Sequence, residues 1–172
     1  MKLTSLVLVV SLCLTAASVR AQTVTDAQIA AIVVAANQVD IDAGLLAESQ
    51  ASRANVKEFA WLMVLDYSGL NTQATALVPA LPVTPQATPT SQRLKTEGEQ
   101  NVAHLKTLHG TAFDTAYIAH EVTYHERVLQ ALDTTLIPNA QNAALKALLG
   151  EVRPVVVRHL AHAKRVQATI AE

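Results

Sequence analysis

The chain has 172 residues, 51% of them apolar, with 13 Lys and Arg against 14 Asp and Glu and a net charge of −1. That length suits one domain, and a near-neutral charge with no basic run excludes the electrostatic footprint of a nucleic-acid-binding protein. Glycine is scarce, alanine is abundant and there is a single cysteine, which favours helices and rules out a disulfide framework.

Residues 1–21 stand apart. Lys2 supplies a positive start, the apolar run LVLVVSLCL follows, and Val19 and Ala21 place small residues at a break. This is the pattern of a secretory signal peptide cut after Ala21. The run is too short for a transmembrane helix, which needs about 20 apolar residues. A lipid on Cys13 is the alternative, disfavoured by Leu12 before it. The expected protein is one domain over 22–172, exported, periplasmic or outer-envelope associated, with no membrane span once the signal is gone. Its only cysteine leaves with the signal, so thiol chemistry is excluded. No glycine-rich phosphate loop and no Gly-x-Ser-x-Gly motif occurs.

The rest reads as helices. Thr25-Asp-Ala-Gln28 forms a capping box, and the first helix runs from it to about Ser52. Asn55-Val-Lys-Glu58 is a similar start for a second helix reaching about Leu77. Pro79, Pro82, Pro85 and Pro89 then break helicity and predict a stiff extended connection. A short helix follows from Ser91 to Leu108, stopping at Gly110. A third long helix spans Thr111 to about Asp133, and Pro138-Asn139 opens a fourth that runs to the C-terminus. No strand-like alternation is present. The short connections predict an all-α fold: an antiparallel four-helix bundle with an extra short helix between the second and third long helices.

Helices advance about 100° per residue, so the core-facing positions can be counted. The third long helix has an apolar stripe of Ile118, Val122, Leu129 and Leu132, with His125 in its middle and Glu121 on its edge. His120 and Glu126 point away. The fourth has Leu145, Leu148, Val152, Val155, Ala163, Val166 and Ile170, with His159 at the centre and His162 on the flank. The second has Val56, Phe59, Met63, Leu70, Ala74 and Leu77, with Tyr67 inside the stripe and Asp66 at its edge. The first has Ile29, Ile32, Val33, Ala36, Ala43 and Ala47, interrupted by Asp40. A buried, unpaired carboxylate or imidazole costs several kcal/mol, so these groups are expected to meet. The expectation is a buried polar layer of Asp40, Asp66, Tyr67, Glu121, His125 and His159, with His104, His109, His120 and His162 on the surface. The stretch FAWLMVL, Phe59 to Leu65, is apolar nearly all round. It calls for cover on a second side by the short helix and the proline segment, or for a protein partner or second copy at Trp61.

Three stretches, DIDAGLLAESQASRANVKEFAWLMVLDYSGLN, HGTAFDTAYIAHEVTYHERV and EVRPVVVRHLAHAKRV, resemble the bacterial domain-of-unknown-function 4142 family. The likeness covers about Thr25 to Val166, and its most specific parts are Phe113-Asp114-x-x-Tyr117 and the Pro154-to-His159 spacing. The resemblance implies an exported, ferritin-like helical protein of the cell envelope. It also implies an acidic residue at Asp40, an Asp-His pair where Asp66-Tyr67 stands, and histidines at His125 and His159. This chain departs at Tyr67, so if that histidine is a ligand in relatives, a site here has one ligand fewer.

Ferritin-like di-iron sites use a Glu from each of two helices and Glu-x-x-His from the other two. No Glu-x-x-His occurs here. Two readings stay open. Asp40, Asp66, Glu121, His125 and His159 could hold a single zinc or iron ion with a coordination position free. The same groups could instead be a hydrogen-bonded layer held by Tyr67. Haem on His125 and His159 is disfavoured, because few aromatic residues are present to line a ring. The first expectation is a non-enzymatic, exported bundle of the cell envelope with a role under stress and no cofactor. The alternative is a metal-binding protein or metal-dependent oxidoreductase.

Overall fold

The structure, a computed structural model, describes residues 24–77 and 86–170. The expected signal peptide and Pro79, Pro82 and Pro85 lie outside the described residues. Within them the chain is all helical, in the order α1 (Asp26–Gln50), α2 (Ala54–Leu77), α3 (Pro89–Leu105), α4 (Gly110–Ala131), a π-helical turn (Leu132–Leu136), α5 (Ile137–Asn139) and α6 (Ala143–Ile170).

Local chemistry sets most of these boundaries. The expected capping box opens α1: Gln28 N–H donates to Thr25 Oγ1 at 3.4 Å, and Thr25 N–H donates to Gln28 Oε1 at 3.0 Å. Thr88 and Ser91 make the same reciprocal pair at α3, with Pro89 in the first turn, so this helix starts two residues before the expected Ser91. Gly110 has a φ of 56°, the only positive φ among the described residues, and it opens α4.

Two starts differ from expectation. The first turn of α2 is covered not by Asn55-Val-Lys-Glu58 but by Asp114 of α4, which accepts from Ser52 N–H at 2.9 Å and Arg53 N–H at 3.0 Å. Pro138 does not open the last helix. It sits in α5, directly after the π-helical turn, where a wider helix relieves the clash of its ring with the preceding turn. The last helix begins at Ala143, where Asn142 Oδ1 accepts from Ala144 and Leu145 N–H, and Asp26 Oδ2 accepts from Asn142 N–H.

α1 packs against α2, α3 and α4, and α6 packs against α4 and α2. Two glycines mark close approaches: a Cβ on Gly44 would lie 2.8 Å from Val64 Cγ2, and one on Gly98 would lie 2.8 Å from Val39 Cγ2. α3 therefore lies on α1 rather than over the second side of α2. Trp61 and Leu65 stay 53% and 52% exposed, so the expected cover for that face is not provided by α3. On α6 the buried position is Val156, with Val155 half-buried, one residue from the expected stripe.

The core has two apolar clusters. One holds Ala43, Ala47, Phe59, Met63, Phe113, Ile118, Ala163 and Val166. The other holds Ile29, Val33, Ala74, Leu132, Leu145, Leu149 and Val156. On α1, α4 and α6 the stretch between the two clusters carries Asp40, Glu121 with His125, and His159 respectively. α1 is also the one described helix long and apolar enough to cross a membrane by composition, and half of its most apolar stretch is buried in the protein.

Candidate metal centre

Glu121 and His125 sit one turn apart on α4 and so share a face. α1 brings Asp40 to the same place. One ligand-capable atom from each of the three lies within 4.8 Å of the other two. All three side chains are buried, Glu121 and His125 completely. Sequence counting put Glu121 at the edge of the stripe. It lies at the centre of the core, because α1 and α6 cover α4 from two sides.

The carboxylates of this cluster lack partners. Asp40 Oδ1 and both Glu121 oxygens are buried with no hydrogen-bond donor among the described residues beyond a proton shared between the two carboxyls themselves. Buried polar atoms are nearly always satisfied, so three orphan oxygens in one place are a strong departure. Burial pushes the Asp40 carboxyl well above the usual carboxylate range, and the neighbouring Glu121 pushes it the same way. Tyr117, one turn before Glu121, is also buried with an unpartnered hydroxyl, and burial together with Glu121 pushes that phenol up.

His125 has a different partner on each ring nitrogen. Nδ1 lies 2.8 Å from the Glu121 backbone carbonyl and 3.5 Å from Glu121 Oε2. Nε2 lies 3.0 Å from the Tyr67 hydroxyl. That hydroxyl lies 3.4 Å from His159 Nδ1, and His159 Nε2 lies 2.8 Å from Asp66 Oδ2. Burial holds both imidazoles below the ordinary histidine range, against the upward pull of Glu121 on one and Asp66 on the other. The expected layer is therefore two groups joined through Tyr67. Asp40, Glu121 and His125 form the inner one. His159 and Asp66 form the outer one, with the Asp66 side chain 39% exposed. Tyr67 touches His125 on the ring nitrogen away from the Glu121 carbonyl. Tyr67 thus stands behind His125 and outside the inner cluster.

His104 and His109 are exposed, as expected. His120 is not a surface residue: its side chain is 25% exposed, Nδ1 is buried 3.8 Å from Glu121 Oε1, and the ring stacks on Tyr124 at 5.5 Å. His162 is also half-buried, edge-on to Phe59 at 5.2 Å. Sequence counting missed Tyr124, which is buried and donates to the Ala36 carbonyl at 2.9 Å. It also gave no role to Asp114, which is completely buried and accepts from Ser52 Oγ at 2.6 Å as well as from the two amides. The Phe113-Asp114-x-x-Tyr117 block was the available signal for Asp114.

The inner donor set fits a divalent transition metal. Two carboxylates and one neutral imidazole offer oxygen and nitrogen ligands of the kind zinc, iron(II) or manganese(II) accept, and three protein ligands leave positions for water or a substrate. Asp66 and His159 belong to the outer pair and are not ligands in this arrangement.

A family model described as a domain of unknown function (DUF4142) matches residues 12–166. No curated protein and no solved structure matches the chain.

Proposed function

The chain belongs to the DUF4142 family, a domain of unknown function, and from that premise we propose that it is an exported, ferritin-like helical bundle that binds one divalent transition-metal ion on Asp40, Glu121 and His125. The observation that carries the reading is Glu121: a completely buried carboxylate with no donor for either oxygen from any other described residue than Asp40, facing that second carboxylate and an imidazole. A buried ionised group without compensation is strongly unfavourable, and a cation supplies the compensation directly. An ion held this way supplies Lewis acidity and can activate a bound water.

The bundle reading is supported by how the long helices run between the two apolar clusters. α1 and α6 reach the Ile29–Leu145 cluster with their N-terminal parts, and α2 and α4 reach it with their C-terminal parts. Packed neighbours among these four thus run in opposite directions, as in an antiparallel bundle. Export is supported by Lys2, the apolar run after it and the small residues Val19 and Ala21.

A second reading has one observation in its favour. Asp40 has a raised pKa, so it can carry a proton and share it with Glu121 without any ion. Elemental analysis and intact mass of protein purified from the periplasm separate the two. The metal reading expects a chain starting at Gln22, about one equivalent of zinc, iron or manganese, and loss of that metal in Glu121→Gln. A metal-free protein that also fails to bind added zinc, with Glu121→Gln more stable than the wild type, would establish the shared proton instead.

A further inference from the structure

We infer that Tyr67 is a positioning residue that sets which nitrogen of His125 faces the carboxylates, by handing its hydroxyl hydrogen from His125 to His159. The inference rests on the metal reading above.

The argument is one of hydrogen counting. Each neutral histidine carries one ring hydrogen and the tyrosine carries one hydroxyl hydrogen. The fixed point is Asp66: an ionised carboxylate only accepts, so the 2.8 Å contact needs a hydrogen on His159 Nε2. His159 Nδ1 is then a lone pair, 3.4 Å from the Tyr67 oxygen. The other end is equally constrained. A backbone carbonyl only accepts, so the 2.8 Å contact from His125 Nδ1 to the Glu121 carbonyl puts the hydrogen on Nδ1. His125 Nε2 is then an acceptor, and Tyr67 donates its hydrogen to it at 3.0 Å. The shorter distance lies on the side where the hydrogen bond is made, and the longer one lies between two lone pairs.

In that arrangement His125 has no free electron pair towards Asp40 and Glu121. To ligate through Nδ1 it must carry its hydrogen on Nε2 instead. Nε2–H then needs an acceptor in a completely buried place, and among the described residues its hydrogen-bond partner is the Tyr67 oxygen. Tyr67 can accept there while its own hydrogen swings to the lone pair on His159 Nδ1. His159 keeps its hydrogen on Nε2 for Asp66. The count is unchanged: one hydrogen on each ring, one on the phenol, and no group gains or loses charge. A tautomer and a hydroxyl rotor change, and the His125 ring turns enough to take Nδ1 off the Glu121 carbonyl, 2.8 Å away. The three side chains stand on α2, α4 and α6, and the Tyr67 oxygen lies 3.0 Å from one ring and 3.4 Å from the other.

Two features follow from the geometry. Tyr67 serves both states because a hydroxyl both donates and accepts. A phenylalanine serves neither, leaving a buried Nε2–H with no partner whenever Nδ1 ligates. The change also ends at His159, whose Nε2–H stays on Asp66 in both arrangements.

The test uses the full exported protein, zinc ion as the probe, and nitrogen NMR of labelled histidine rings. Without metal the wild type should show His125 hydrogenated on Nδ1, and with zinc on Nε2, with His159 hydrogenated on Nε2 throughout. Tyr67→Phe should weaken zinc binding by about 10–100-fold at unchanged stoichiometry, the usual size for loss of a partner behind a metal-binding histidine. His159→Leu should weaken it as well, and His159→Asn, which restores an acceptor near Nδ1, should recover part of the loss. Zinc binding by the wild type with no change of tautomer on His125 overturns the inference and leaves the metal reading standing. So does unchanged affinity in a folded Tyr67→Phe. A wild type that binds no zinc overturns the metal reading, and this inference with it. The tautomer measurement needs no variant, so a Tyr67→Phe that fails to fold does not remove the test.

Discussion

Asp114 and Glu121 stand two turns apart on α4, and both are completely buried. Asp114 accepts three hydrogen bonds, from Ser52 Oγ, Ser52 N–H and Arg53 N–H. Glu121 accepts none at either side-chain oxygen among the described residues. Burial alone therefore does not distinguish a satisfied carboxylate from an unsatisfied one. The difference lies in whether the fold supplies donors. At Asp114 it does, and the carboxylate ties the α1–α2 turn to α4. At Glu121 the fold supplies a second carboxylate and an imidazole, which is what a cation requires.

Breaking the better-satisfied carboxylate should cost most. Asp114→Ala strands two amides and a hydroxyl at the start of α2 and should destabilise the protein by about 3–5 kcal/mol. Because Asp114 has no part in the candidate centre, urea midpoints should fall equally with and without chelator. A loss seen only in metal-loaded protein would erase the contrast drawn between the two carboxylates.

Next in size is a contrast inside the polar layer. His125→Ala opens a void and leaves the Tyr67 hydroxyl without its nearer partner, for about 2–4 kcal/mol. His120→Ala removes a half-buried ring stacked on Tyr124 and should cost about 1 kcal/mol. Denaturation of the two variants side by side checks this, and equal losses would mean that His120 is as much a part of the layer as His125. A His125 loss that vanishes once metal is stripped from both wild type and variant would place His125 among the ligands.

The smallest expected effect is on pH dependence. An imidazole kept neutral by burial binds fewer protons in the folded chain than in the unfolded one. Its contribution is complete above the unfolded pKa of about 6.5 and shrinks as the pH falls below it. Both His125 and His159 act in this direction. Asp40 acts in the other: with its pKa raised, the folded chain takes up that proton first, so acid stabilises it until the unfolded carboxyl protonates near about 3.9. In metal-free protein the two partly cancel. Asp40→Asn removes the opposing contribution, and its stability should fall more steeply below about pH 6.5 than that of the wild type. Parallel melting-temperature profiles for the two proteins would show that Asp40 is not protonated differently by folding.

Much of this was legible in the sequence because helical geometry is regular. Counting residues placed Asp40, Tyr67, His125 and His159 towards the core, and all four are buried. The capping residues of α1 and the breaker at Gly110 were equally plain, since each acts within a few positions of itself. What could not be read was set by contacts between distant segments. Asp114 caps a turn 61 and 62 residues away, and no local pattern announces that. Counting also cannot tell a stripe's edge from its centre when two helices cover the same face, which is why Glu121 was placed at the margin. Along α6 one position differs beside Pro154, where Val156 rather than Val155 is buried, while His159, Ala163 and Val166 lie where the count put them. The split of the polar layer at Tyr67 depends on distances below the width of a side chain, which a helical wheel does not resolve.

Asp40 has one more consequence, and it concerns biosynthesis. α1 is apolar enough to be taken for a membrane span while the chain is still unfolded. An ionised aspartate in the middle of such a segment raises the cost of lateral transfer into lipid by about 2.5–3.5 kcal/mol. Once folding is complete, the same side chain lies against Glu121 and His125. A residue that the finished bundle encloses thus argues, earlier in the life of the chain, against residence in a membrane.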